Sequence, residues 1–279
     1  MGKRVKILRE AMKAAEDGCY DLEEREVKLP VSFEQIKEVT LYTPEQVAQL
    51  PQQDVSGNEP ILITLRNQDT LEAAFELHQH RKENEKPVLI LNFANPHRPG
   101  GGIRSKPGTQ EEHLCVKTTL LCSLETEEAW PFYQTNLDCG TQAQTDFILF
   151  SPNTMVIRNP DLSLRADPFP VAVMTVSAPI ASRMEESELP NLENILNRRI
   201  HGMLRAAAAE GYTRLVLGAW GCGNFGNDPE LVAKLFRNNL TGSFEEVIMA
   251  VFDNSEDQYR YSCFAKYFES MDAGAESNR

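Results

Sequence analysis

From residue 61 onward the chain alternates between two hydrophobic periods, and this alternation limits the folds open to it more than any other feature. Residues 61–65 (ILITL) and 87–94 (PVLILNFA) are short apolar runs of strand type, and residues 71–83 between them carry a helix-like pattern. The succession returns downstream. Residues 171–177 form a buried-strand run, and residues 191–210 place Leu192, Ile195, Leu196, Ile200, Met203, Leu204 and Ala207 on one helical face before Gly211. Residues 214–220 then form a strand. Asp228 followed by Pro229 marks a helix start, because Asp accepts from orphan N–H groups and Pro suits the first helical position. That helix is expected to reach about Asn239, with a strand over 245–252 and a helix over 258–268 completing the pattern. Strands alternating with helices predict an α/β domain whose mixed sheet is flanked by helices on both faces.

Residues 6–16 put Ile7, Leu8, Ala11, Met12 and Ala15 on one face of a leading helix that Gly18 stops. The stretch with Pro30, Pro44, Pro51 and Pro60 is poorly patterned. The expected organisation is an N-terminal helical extension over 1–60 packed on the domain, a core over 61–270 and a disordered polar tail over 271–279.

Composition excludes several functions. A net charge of -13 and a pI near 4.9 speak against a surface that grips nucleic acid through many phosphates, so no direct sequence-specific nucleic-acid binding is expected. Six cysteines without a C-x-x-C pair read as reduced thiols, with no metal site. Residues 1–18 are charged throughout and lack the apolar core of a secretion signal, and Lys6 stands where a myristoylation signal wants Ser or Thr. The longest apolar run, around 171–180, is too short to span a bilayer. These features predict a soluble cytoplasmic monomer that needs no cofactor and no membrane.

Two loops carry the chemistry, because ligands of such sheets gather where strands lead into helices. The first runs from Asn95 through Gly100, Gly101 and Gly102 to Gln110, Glu111 and Glu112. Consecutive glycines let a backbone approach a ligand without Cβ interference, and such loops present N–H groups to phosphate. Arg98, Arg104 and Lys106 have no acidic neighbour in sequence before Glu111, a contrast that favours an anionic ligand; a tight surface turn followed by a helix start is the plainer alternative. The second loop, Gly221, Cys222, Gly223, Asn224, Phe225 and Gly226, matches G-x-G-x-x-G. A Rossmann dehydrogenase, with Asp253 meeting a ribose hydroxyl, and a purely structural glycine turn both remain open at this point. Both loops nonetheless suit a diphosphate held by backbone amides.

At these residues the sequence resembles the poly(ADP-ribose) glycohydrolase family, marked by three glycines, a short spacer and Gln-Glu-Glu. Gly100 to Gly102, a seven-residue spacer and Gln110 to Glu112 have that form. Phe93, Ala94 and Asn95 upstream, the run from Gly218 to Asp228, and more loosely Phe150 to Arg158 extend it, mostly from residue 61 onward and nearest the compact bacterial-type branch. The resemblance implies a macrodomain-like fold with N-terminal helical additions. By position it makes Glu112 the catalytic acid, with Glu111 and Asn95 at the ribose beside the scissile bond. Gly100 to Gly102 and Gln110 would line the substrate site, the Gly221-to-Gly226 loop would hold the diphosphate, and Phe225 would pack on the ligand. Phe252 is the counterpart of an adenine-stacking ring, or else a core residue at a strand end. The spacer with Lys106 and Pro107, and His113 after the glutamates, depart from the family's small residues and bear on acceptor preference.

Cleaving a ribosyl bond passes through an oxocarbenium-like state and needs a proton on the leaving oxygen. A carboxyl with a raised pKa supplies it, and two close carboxyls favour keeping one protonated. The expected substrate is the ADP-ribose polymer, cut at ribose–ribose bonds to release ADP-ribose. Alternatives are an ADP-ribosylated protein relieved of single units, for example from arginine, and a non-catalytic ADP-ribose-binding module. Cys222 has no histidine partner evident in sequence, and His78 and His80 do not share a helix face.

Overall fold

A computed structural model describes residues 3–52, 60–104 and 108–269. In chain order these form α1 (Lys3–Asp17), β1 (Cys19–Leu22), β2 (Arg25–Lys28), α2 (Phe33–Lys37), β3 (Thr40–Tyr42), α3 (Pro44–Gln49), β4 (Leu62–Arg66), α4 (Thr70–Gln79), β5 (Val88–Phe93), α5 (Gln110–Lys117), α6 (Leu120–Leu124), α7 (Trp130–Asp138), β6 (Ile148–Arg158), β7 (Leu164–Val176), α8 (Leu192–Ala209), β8 (Arg214–Gly218), α9 (Pro229–Asn239), β9 (Glu246–Ala250) and α10 (Tyr259–Phe268). The expected tail and the spacer residues Lys106 and Pro107 lie outside the described residues.

The chain divides into two compact units. The first comprises Met1–Pro44, Pro87–Gly140 and Thr145–Ser177. Its strands run in the order β3-β6-β7-β5, antiparallel except for the β5–β7 pair, so the sheet is mixed. Residues 88–92 and 171–176 are buried without alternation, which requires cover on both faces of those strands. Helix α1 presents Ile7, Leu8, Ala11 and Ala15 to the interior, as its periodicity predicts. Ala11 and Ala15 pack with Ile36, Met155 and Ile157.

The leading residues are not purely helical. Hairpin β1–β2 turns through Glu23 and Glu24, both at positive φ (50° and 64°), without the Asn or Gly that usually signals such a turn. β3 is a short edge strand on β6. α2 starts at Ser32, whose hydroxyl accepts from the Gln35 N–H while the Gln35 side chain accepts from the Ser32 N–H. β7 begins well before residue 171. Pro168 and Pro170 hide its first half from a pattern reading, and Pro152 in β6 falls where the β6–β7 register shifts.

The second unit comprises Glu45–Lys86, Thr141–Gln144 and Ala178–Arg279. Its strands are parallel in the order β8-β9-β4. Asp228 caps α9 through its carboxylate and Glu230 N–H (3.0 Å) with Pro229 in the first turn, as expected. α4 stops at Gln79 rather than 83, because residues 81–85 close a turn in which Arg81 donates to the Glu85 carbonyl (2.8 Å). Among the described residues no helix is long and apolar enough to cross a membrane.

Candidate active site

In the first unit, β5 leads into the glycine loop. Asn95 turns the chain as its Oδ1 accepts from the N–H groups of His97 (2.9 Å) and Arg98 (3.1 Å). Gly100 and Gly101 follow at φ 65° and 57°, where L side chains are strained. A Cβ on Gly101 would lie 3.1 Å from Glu111 Oε2 and 3.2 Å from Glu112 Oε1, so the backbone runs directly against both carboxyls. A Cβ on Gly100 would instead press on Leu121, Ile103 and Cys115.

Helix α5 starts immediately after Thr109. Gln110 ties this start to β5: its Nε2 donates to the Leu91 carbonyl (2.8 Å) and its Oε1 accepts from the Phe93 N–H (2.9 Å). The resemblance places Gln110 at the substrate, whereas the structure commits both ends of its amide to the strand. Glu111 is buried, with Oε2 accepting from the Asn95 N–H (2.8 Å) and Oε1 from Asn92 Nδ2 (3.3 Å). Glu112 is buried too. Its Oε1 accepts from the Gly102 N–H (2.7 Å), and its Oε2 accepts from the N–H groups of Thr109 (2.8 Å) and Gly108. Asn95, Gly101, Gly102, Glu111 and Glu112 are therefore brought together.

Burial pushes the Glu111 carboxyl up from 4.5 to about 8; hydrogen bonds from Asn95 and Asn92 oppose the rise and the neighbouring Glu112 charge adds to it. The folded chain thus holds this proton more tightly than the unfolded chain does. The stabilisation is complete below 4.5 and is lost as pH rises from there through about 8. Urea unfolding from pH 4.5 to pH 9 should show that decline, and Glu111→Gln should flatten it. A variant that declines as steeply as the parent would assign the effect to other groups. The cation cluster expected to await an anion is partly answered within the protein, since Arg104 pairs with Glu125 at 2.6 Å.

In the second unit, Trp220 is fully buried and anchors the loop from Gly221 to Gly226. Asn227 ties the loop at its base: its Nδ2 donates to the carbonyls of Pro179 (2.8 Å) and Gly221 (3.0 Å). A Cβ on Gly221 would fall 2.5 Å from Asn227 Nδ2 and 2.6 Å from Ala178 Cβ, and one on Gly226 would lie 3.0 Å from Ser182 Cβ, so both glycines serve the fold. Gly223 is exposed and a Cβ there would meet nothing within 4 Å. The N–H groups of Gly223, Asn224 and Phe225 donate to no protein group among the described residues, which leaves consecutive donors for an anion. Burial pushes the Cys222 thiol up, away from the thiolate a nucleophile needs.

Phe252, two residues past β9, is 58% exposed, so it is not a core residue. Asp253 beside it is buried and committed. Burial alone would raise its carboxyl, but hydrogen bonds from Ser255 and Arg260 hold it well below the usual range, and its Oδ2 also accepts from the Arg260 and Tyr261 N–H groups at the start of α10. An aspartate spent on a helix start is not the free ribose acid of a dehydrogenase. The Rossmann alternative fails on that count. No cluster of three His, Cys, Asp or Glu suits a metal among the described residues.

The family model described as the microbial-type PARG catalytic domain, PARG being poly(ADP-ribose) glycohydrolase, matches residues 9–159. A crystal structure of the PARG from Thermomonospora curvata superposes with a TM-score of 0.86 at 32% identity, covering 95% of this chain and 99% of that one. The same enzyme bound to the inhibitor ADP-HPD gives 0.84 at 31% identity over the same shares. The PARG from Deinococcus radiodurans, solved with ADP-ribose, gives 0.80 at 32% identity over 88% of this chain and 100% of that one. A sequence search of curated proteins finds no match. The superpositions show the mixed α/β, macrodomain-like fold, and because the matched family model spans more than half of the 279 residues, the chain belongs to the microbial-type poly(ADP-ribose) glycohydrolase family.

Proposed function

We propose that this protein hydrolyses the ribose–ribose O-glycosidic bonds of poly(ADP-ribose), releasing ADP-ribose, with Glu112 as the acid that touches the reacting oxygen. The observation that carries the reading is the buried Glu111–Glu112 pair with a side-chain-free backbone at Gly101 against both carboxyls. The solved relatives and the family support the substrate class. As the anomeric C–O bond parts, the electron pair leaves with oxygen, and a proton from the pair caps it. The carboxylate then takes a proton from the water that adds to the anomeric carbon.

Burial pushes Glu111 up to about 8, so that it carries a proton at neutral pH beside Glu112. Glu111 and Asn95 would then position the ribose. The Gly221-to-Gly226 loop would hold the diphosphate on its uncommitted N–H groups, with Phe225 against the ligand and Phe252 offering an exposed ring to adenine.

Incubation with labelled polymer, with arginine-linked and with acidic-residue-linked ADP-ribose tests this reading directly. Release of ADP-ribose from polymer is expected. Release only from protein-linked single units would reassign the substrate, and no release with intact binding would mark a bare reader. Free ADP-ribose should raise the melting temperature progressively, since it binds only the folded chain. Gly223→Val should abolish most of that rise while leaving the unliganded melting temperature near that of the parent, because the new side chain has room in the protein but blocks approach to the amides. An undiminished rise would remove the loop from the binding site.

A further inference from the structure

We propose that Asn92 is a positioning residue for this reaction, its side-chain amide holding the Glu111 carboxyl in place from the sheet side. The inference rests on the reading of Glu111 and Glu112 as the site of hydrolysis.

Asn92 interrupts an apolar strand, VLIL before it and Phe93 after it, and is 0% exposed. Its Nδ2 donates to Glu111 Oε1 (3.3 Å) and to Thr175 Oγ1 (3.1 Å), and Thr175 is its register partner on β7. Its Oδ1 has no hydrogen-bond partner although the atom is buried. A half-satisfied amide in a core is a burden on the fold that an apolar residue would avoid. Packing alone therefore does not explain it, whereas the donor toward Glu111 does. With the Asn95 N–H on Oε2 and Asn92 on Oε1, the Glu111 carboxyl is held at both oxygens and cannot turn.

The contact also bears on the proton. An N–H aimed at a carboxyl favours its ionised form, so removing Asn92 makes Glu111 keep its proton to higher pH. The other ionisable groups around Glu111 are Glu112 and Cys115 on α5 and Tyr133 on α7. Farther out stand Cys122 on α6, facing Glu16 of α1, and Glu125, which pairs with Arg104. Strand β5 itself offers no ionisable side chain.

The test measures kcat and KM on polymer across pH, with melting temperatures, for Asn92→Leu and Asn92→Asp. Asn92→Leu should keep or raise the melting temperature and lower kcat roughly tenfold to a hundredfold with little change in KM, the scale on which a misplaced group lowers a rate. The alkaline limb of the kcat profile should move to higher pH. Asn92→Asp, nearly the same shape without the donor and with an added charge, should move the limb the same way and serves should the leucine variant not fold. A folded variant with unchanged kcat and an unmoved limb overturns the proposal. If the parent cleaves no polymer, the functional reading has failed, and the proposal is decided by unfolding alone. The loss of stability with rising pH should then extend to higher pH in Asn92→Leu, and an unchanged curve overturns it.

Discussion

Glu112→Gln should lower turnover on polymer by at least ~10²–10⁴, the usual contribution of a general acid–base group, while ADP-ribose binding changes little. The substitution is not silent in the fold. Glu112 accepts from the Gly102 N–H with one oxygen and from the Gly108 and Thr109 N–H groups with the other. A glutamine amide can satisfy one side, but its NH₂ then faces N–H groups on the other. A loss of about 1–3 kcal/mol in unfolding free energy is therefore expected beside the catalytic defect. The two effects separate by measurement, because turnover at saturating polymer well below the melting temperature reports only the folded fraction. Glu111→Gln is the paired control: it retains an acceptor for the Asn95 N–H, removes the titration near pH 8 and should weaken ribose positioning as well as rate. Near-parental turnover in Glu112→Gln would falsify the assignment of Glu112 as proton donor.

Gly101→Ala should be almost as damaging with a single added methyl. The residue sits at φ 57°, where a Cβ costs roughly 1–2 kcal/mol. The methyl would also stand 3.1 Å from one glutamate oxygen and 3.2 Å from the other. Both carboxyls must give way together, so activity should fall about 10²-fold, the scale of a 1 Å misplacement. Gly108→Ala is the contrasting substitution, since a Cβ there meets nothing within 4 Å. Equal kinetics in the Gly101 and Gly108 variants would mean that the glycine loop does not shape the carboxyl pair.

What could be read in advance followed from how much local signal each element carries. α8, α9, β8, β9 and α10 were predicted within a few residues because apolar periodicity and the Asp228–Pro229 start coincide with burial in the fold. The hairpin through Glu23 and Glu24 was not, since its turn conformation is imposed by strand pairing rather than by turn-forming residues. Ser32 and Gln35 formed a visible capping signature that the proline-rich context obscured. At the site, the glycines and the two glutamates stand out in the sequence as a motif. The duty of Gln110 does not, because hydrogen bonding between a helix start and a strand leaves no periodic trace. Asn92 left one faint sign, a lone amide in an apolar run, which acquires meaning only once Glu111 is seen beside it.

The Gln110 amide has a consequence for how this family of sites can diversify. By bonding the backbone on both sides of Asn92, at Leu91 and Phe93, it acts as a chord that short-circuits the loop from Asn95 to Thr109. The start of the helix that carries the glutamates is thereby fixed on the strand, while Gly101 and Gly102 close on their carboxyls from the loop. On the proposed reading, side-chain changes between Gly102 and Gly108 can then alter the charge beside the scissile bond across descendants without moving the helix start. Acceptor preference and proton delivery would then be separately adjustable traits, and drift in one need not extinguish the other.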